Sequence, residues 1–148
     1  MEIFYIIVVL LAGACAPAQA GINSVLLRLW AGDVILAATI SFAVGTLVLL
    51  FSVLVLRIPW PAFGKVTQLP WWLWTGGLMG AFLVTATVAA APILGAATMI
   101  GFMVAGQMVT SLFLDHWGLV GYPVHPINIP RVVGAILLVS GVIILKKF

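Results

Sequence analysis

Charge is what this sequence has least of. Lysine and arginine supply six residues and aspartate and glutamate three, so charged side chains make up 6% of a 148-residue chain. Soluble domains carry about a quarter charged residues, which keep their surfaces in water. The scarcity excludes a water-soluble globule and, with it, a soluble enzyme. The basic residues are also scattered along the chain, which excludes a surface for nucleic acid.

Residues for catalysis and metal binding are equally scarce. The lone Cys15 excludes an intramolecular disulfide. His116 and His125 lie in one loop without further clustered ligands, so no metal-binding spacing is present. No histidine and carboxylate share an apolar run, which leaves no pair of nucleophile and base. We therefore expect no enzyme, no metal and no cofactor.

Long apolar runs are the main feature that is present. Hydrophobic residues make up 65% of the chain, and about 20 apolar residues in a helix cross a hydrocarbon core of about 30 Å. The sequence predicts an all-α integral membrane protein, one five-helix domain over residues 1–148. The predicted spans are residues 3–27, 34–56, 71–90, 93–114 and 129–146.

Two details of this layout depend on proline and tryptophan. The stretch from Val66 to Leu114 is free of charge and long enough for two helices, and Pro92 near its middle predicts a turn at residues 90–92. Tryptophans favour the headgroup level of a bilayer. All six fall at or near predicted span ends, namely Trp30, Trp60, Trp71, Trp72, Trp74 and Trp117.

The N-terminal run has two interpretations. Ala18-Gln19-Ala20 would serve as a signal-peptidase site, which would make the first run a cleaved signal. However, a secretory signal begins with positive charge, and the only early charged side chain here is Glu2. We therefore expect the run to be retained as the first span.

Basic residues do not decide the orientation. With the N-terminus taken as inside, the inner loops hold Arg57, Lys65 and Arg131. The outer side holds Arg28, Lys146 and Lys147. Because lysine and arginine normally mark the cytoplasmic side, this tie fits either insertion in both orientations or a fixed topology set by other cues.

Polar residues in the first span form a candidate site. Gln19 and Asn23 are four residues apart and share a helix face. Pro17 lacks an N–H group and clashes with the Gly13 carbonyl, so it should kink this helix. Pro17 and Gly21 are therefore candidates for a role in gating. The two amides either bind a substrate or hold neighbouring helices together through hydrogen bonds.

The fourth span carries a second polar stripe. Gln107, Ser111 and Asp115 recur every four residues, and Met103 continues the stripe toward the apolar end. This pattern predicts a cavity lining, with Asp115 and His116 at its mouth as candidates for proton coupling. A solvated carboxylate at the helix end is the alternative for Asp115.

Two segments resemble a known family. PAQAGINSVLLRLWAG and VAGQMVTSLFLDHWGLVG are similar to the YdcZ-type small bacterial membrane proteins of the drug/metabolite transporter superfamily. The matching positions are Pro17, Gln19, Gly21, Asn23, Gly106, Gln107, Ser111, Asp115 and His116. The resemblance implies a multi-pass protein of the bacterial inner membrane, equivalent to half of a ten-helix transporter built from inverted repeats. It also implies that the protein functions as a homodimer. Four-helix exporters of this superfamily have a glutamate in the first span, where this chain has only amides.

The resulting expectation is a transporter that moves a small organic substrate across the lipid bilayer by alternating access. In an antiparallel homodimer, Gln19, Asn23 and Gln107 would contact that substrate together with Ser111 and Met103. A non-transporting assembly subunit and an ion channel are the alternatives. A channel would need a polar lining that continues through the membrane, and the polar residues here form two short stripes.

Overall fold

Five long helices account for most of the protein. The structure is a computed structural model that describes residues 1–61 and 63–148. The helices are α1 (Glu2–Leu26), α2 (Val34–Val55), α3 (Thr75–Leu94), α4 (Ala96–Trp117) and α5 (Ile129–Lys147). The described residues contain no strand. The predicted all-α class is therefore confirmed.

All five helices are long and apolar enough to cross a membrane. The α1 segment does so together with the π-helical turn Leu27–Ala31 that follows it, and α3 together with the 3-10 turn Trp71–Trp74 that precedes it. Most of their large apolar side chains are exposed, which is the expected state of a chain whose solvent is hydrocarbon. The five-span architecture is confirmed, and the inverted repeat stays a prediction.

Polar side chains mark where two helices begin. Asp33 precedes α2 and accepts hydrogen bonds from the backbone N–H groups of Ile35 and Leu36, at 2.8 and 3.1 Å. Asn128 precedes α5 and accepts from Arg131 N–H at 3.0 Å. Such caps satisfy N–H groups that have no partner inside the helix.

The boundary between α3 and α4 differs from the prediction. The turn expected at residues 90–92 is wrong, because α3 continues through Pro92 to Leu94. A proline this close to a helix end removes only one late hydrogen bond, so the helix tolerates it. The chain breaks at Gly95, whose φ of 75° lies in the left-handed region that glycine adopts without strain.

The residues pack into two compact units. Unit 2 comprises residues 18–93, and unit 1 comprises residues 1–17 and 94–148. In unit 2, Phe42 of α2 lies against Gly80 of α3, where a Cβ atom would meet the ring at 3.6 Å. In unit 1, α4 packs along α5, with Val142 against the bare backbone of Gly101. That residues 1–148 form a single domain stays a prediction.

Candidate functional site

A groove with several polar lining residues lies along the second half of α4. Its volume is about 500 Å³. It is lined by Gly106, Gln107, Thr110, Ser111, Leu114, Asp115 and Tyr122. Six of these residues recur at three- or four-residue spacing on one helix face, and Tyr122 comes from the loop beyond the helix. We call this the α4 groove.

The side chains of the α4 groove differ in what they already bind. The Ser111 hydroxyl donates back to the Met108 carbonyl at 2.9 Å, so its proton is already engaged and the hydroxyl is left as an acceptor. Gln107 is exposed and offers an amide that both donates and accepts. Next to it, a Cβ on Gly106 would meet nothing within 4 Å. The groove therefore has open space beside its amide.

Asp115, at the loop end of the groove, is already paired. The Arg131 guanidinium lies 3.3 Å from its carboxylate, and the two side chains are about one-third exposed, at 32% and 28%. The same guanidinium nitrogen donates to the His125 carbonyl at 3.0 Å. The only charged lining residue of the α4 groove therefore carries its own counter-charge.

The loop of residues 118–128, which we call the α4–α5 loop, folds back onto the end of α4. His125 N–H donates to the Asp115 carbonyl at 2.8 Å, and Ile127 N–H donates to His116 Nδ1 at 3.1 Å. Gly118 ends α4 in the left-handed region, and a side chain there would collide with Val124, since a Cβ would lie 2.7 Å from Cγ2. These contacts position Tyr122 at the groove mouth.

A second, smaller groove lies in unit 2. It has a volume of about 210 Å³. It is lined by Gln19, Ser41, Phe42, Gly45, Thr46 and Leu49, and we call it the α2 groove. Gln19 is thus brought together with hydroxyls of α2, while Gln107 lines the α4 groove. A cavity that contains both amides stays a prediction.

Asn23, four residues after Gln19, has a different environment. It is only 4% exposed, and its Nδ2 atom has no hydrogen-bond partner among the described residues. A buried donor without an acceptor costs roughly 1–3 kcal/mol. Asn23 therefore gives α1 a buried amide N–H group that lowers the stability of the folded chain unless it finds an acceptor.

The remaining candidates lie outside both polar grooves. Met103 is half-buried and lines neither of them. Pro17 lies within the continuous helix α1 and lines an apolar groove with residues of α4 and α5. Gly21 is exposed, and a Cβ there would meet nothing within 4 Å. Their roles in gating or binding stay predictions.

Two residues of the groove region were missed from the sequence. Tyr122 sits in a loop, and Arg131 was counted only as a topology signal. The available clue was charge, because Asp115 and Arg131 are opposite charges at the two ends of one short loop. Among the described residues, no group of three His, Cys, Asp or Glu side chains could hold a metal ion.

Five apolar spans with polar grooves define a multi-pass helical membrane protein. Residues 4–144 match the model of the family described as "Putative inner membrane exporter, YdcZ". The chain belongs to this family, which is one of membrane transporters of the inner membrane. It is 34% identical over 122 residues to the inner membrane protein YdcZ of Escherichia coli (strain K12), with 80% of each chain covered. No solved structure matches it.

Proposed function

We propose that the chain transports a small organic substrate by alternating access, as an antiparallel homodimer of about ten helices. The observation that carries the proposal is the α4 groove, in which an amide and two hydroxyls lie on one open face of a membrane-spanning helix, next to a tyrosine of the following loop. Polar groups in a span are costly unless they face a partner or a water-filled path. A substrate path gives them that environment.

The chemistry of the α4 groove favours a neutral polar or charge-delocalised ligand. Gln107 donates and accepts hydrogen bonds, whereas the Asp115 carboxylate is engaged by Arg131. An isolated ion entering the groove would lose its hydration without finding a free counter-charge, at a cost of several kcal/mol. Gln19 and the unpaired Asn23 amide are further substrate contacts in this proposal.

The antiparallel dimer is supported by the basic residues. Three flank one side of the spans and three the other, so neither orientation is favoured over the other. Five spans in two opposite orientations give the inverted arrangement that alternating access uses.

Flux measurements with matched amide variants test the proposal. Purified protein in liposomes is screened against small organic compounds, and Gln107→Leu is compared with Gln68→Leu, an exposed amide outside the grooves. Loss of one substrate hydrogen bond should weaken affinity roughly ten-fold to a hundred-fold in Gln107→Leu only.

Gln19→Leu and Asn23→Leu should weaken transport in the same way. Unchanged flux and affinity in all three variants would place the substrate path elsewhere. Absence of flux for every compound, from protein shown to be folded, would favour a non-transporting assembly subunit.

A further inference from the structure

We infer that His116 is a positioning residue whose proton controls access to the α4 groove. The inference rests on the proposed function in taking that groove as the substrate path. Unprotonated His116 holds the α4–α5 loop down, with Tyr122 at the groove mouth. Protonated His116 releases the loop.

The two histidines of this region use the same ring atom in opposite ways. His116 Nδ1 lies 3.1 Å from the backbone N–H of Ile127, so it must carry a lone pair. His125 Nδ1 lies 3.2 Å from the Pro123 carbonyl oxygen, so it must carry a proton. A histidinium donates from both nitrogens. Protonation therefore breaks the His116 contact and leaves the His125 contact intact.

The loop that His116 holds is under strain. Val120 has a φ of 55°, and a β-branched residue in the left-handed region costs about 1–3 kcal/mol. The loop keeps this conformation through its ties to α4, which are the bonds of His125 N–H to Asp115 and of Ile127 N–H to His116. Loss of one tie shifts the balance toward a relaxed loop.

Tyr122 connects the loop to the groove. It follows the strained turn directly, and it lines the α4 groove together with Ser111 and Asp115. A loop that leaves the end of α4 takes Tyr122 with it. The groove then opens toward the aqueous side at its Asp115 end.

The other ionisable side chains at this junction of α4, the α4–α5 loop and α5 are Asp115, Tyr122, His125 and Arg131. Asp115 and Arg131 neutralise each other, and histidine is the only side-chain class at this junction that ordinarily changes charge between pH 8 and 5.5. The contact of His125 with the Pro123 carbonyl is compatible with both of its charge states. The closed loop binds the unprotonated form of His116. By linkage, acidification through that interval favours the open form.

Labelling of a groove cysteine tests the inference in the full-length protein. The background carries Cys15→Ala and Ser111→Cys, and a charged, water-soluble maleimide probe reports entry to the α4 groove. His116→Asn keeps an uncharged acceptor at the δ position at every pH, and His116→Phe keeps a ring but has no acceptor. Rates are divided by those of His116→Asn at the same pH, which removes the pH dependence of the thiol itself.

The background protein with His116 intact, the parent, should label at the same rate as His116→Asn at pH 8. At pH 5.5 it should label roughly three- to ten-fold faster than His116→Asn, which is the population shift expected from one lost hydrogen bond. His116→Phe should label faster at both pH values, and His125→Gln should follow the parent. If His116→Phe does not fold, the comparison of the parent with His116→Asn still decides the question.

Nitrogen-15 NMR of the two labelled histidines supplies the independent readout, with His125→Gln assigning the signals. His116 should have an unprotonated Nδ1 in the state that labels slowly and a protonated Nδ1 in the state that labels fast. A flat labelling ratio while His116 takes up a proton would overturn the inference, as would a His116 that is protonated at Nδ1 at pH 8 or stays neutral at pH 5.5. Neither measurement uses a substrate, so failure of the transport test leaves this result separate.

Discussion

The guanidinium of Arg131 lies 3.3 Å from the carboxylate of Asp115, a residue 16 positions earlier in the chain. This ion pair joins the first turn of α5 to the last turn of α4. Because Arg131 also binds the His125 carbonyl, it fixes the loop between the two helices as well as their ends. Arg131, one of the basic residues that bear on membrane orientation, therefore also links α4, the α4–α5 loop and α5 in the folded chain.

A double-mutant cycle should detect that link. Asp115→Asn and Arg131→Gln are expected to lower stability singly and to do so less than additively together, with a coupling of about 0.5–1 kcal/mol because both side chains remain partly exposed. Thermal unfolding in detergent, followed by circular dichroism, measures it. Strictly additive effects would mean that the pair contributes nothing to stability.

The sequence predicts the helices better than their contacts. The five spans follow from runs without charge, because a charged side chain in hydrocarbon is excluded by its cost. The α4 stripe of Gln107, Ser111 and Asp115 follows from helical periodicity. The break between α3 and α4 was predicted next to Pro92 rather than at Gly95, because proline is the stronger local signal for a helix end. Tyr122 was missed because its position depends on how a loop folds back.

Close packing of α4 on α5 predicts an asymmetry between two glycines. A Cβ on Gly101 would lie 3.0 Å from Val142 Cγ1, whereas one on Gly141 would meet nothing within 4 Å. Gly101→Leu should therefore destabilise the protein by about 1–3 kcal/mol through overpacking, and Gly141→Leu should not. Adding Val142→Ala to Gly101→Leu should restore part of the loss. Equal unfolding temperatures for the two glycine variants would contradict this packing.

The unpaired amide of Asn23 predicts a conflict between stability and transport. Leucine has a similar branched shape and no donor, so Asn23→Leu should remove the cost of the buried N–H group and raise stability by about 1–3 kcal/mol. The same change should weaken transport if the amide contacts the substrate. Unfolding in detergent and flux in liposomes are measured on one preparation, with Gln68→Leu as the control. A variant that loses stability would show that the amide has a partner in the assembled protein.

The tie of basic residues predicts that small charge changes will set the orientation. Two lysines added after Phe148 put extra positive charge at one end of an odd number of spans, so the chain should insert mainly with its C-terminus inside. Labelling of cysteines introduced at residues 2 and 148 reports the orientation, and the two ends of each chain should be reached from opposite membrane faces.

If the working unit is an antiparallel dimer, the biased chain alone should lose transport. Co-expression with an oppositely biased chain, made by adding two lysines before Glu2, should restore it. Two uncharged serines after Phe148 control for the added length. Full transport by a population shown to have a single orientation would refute the antiparallel dimer.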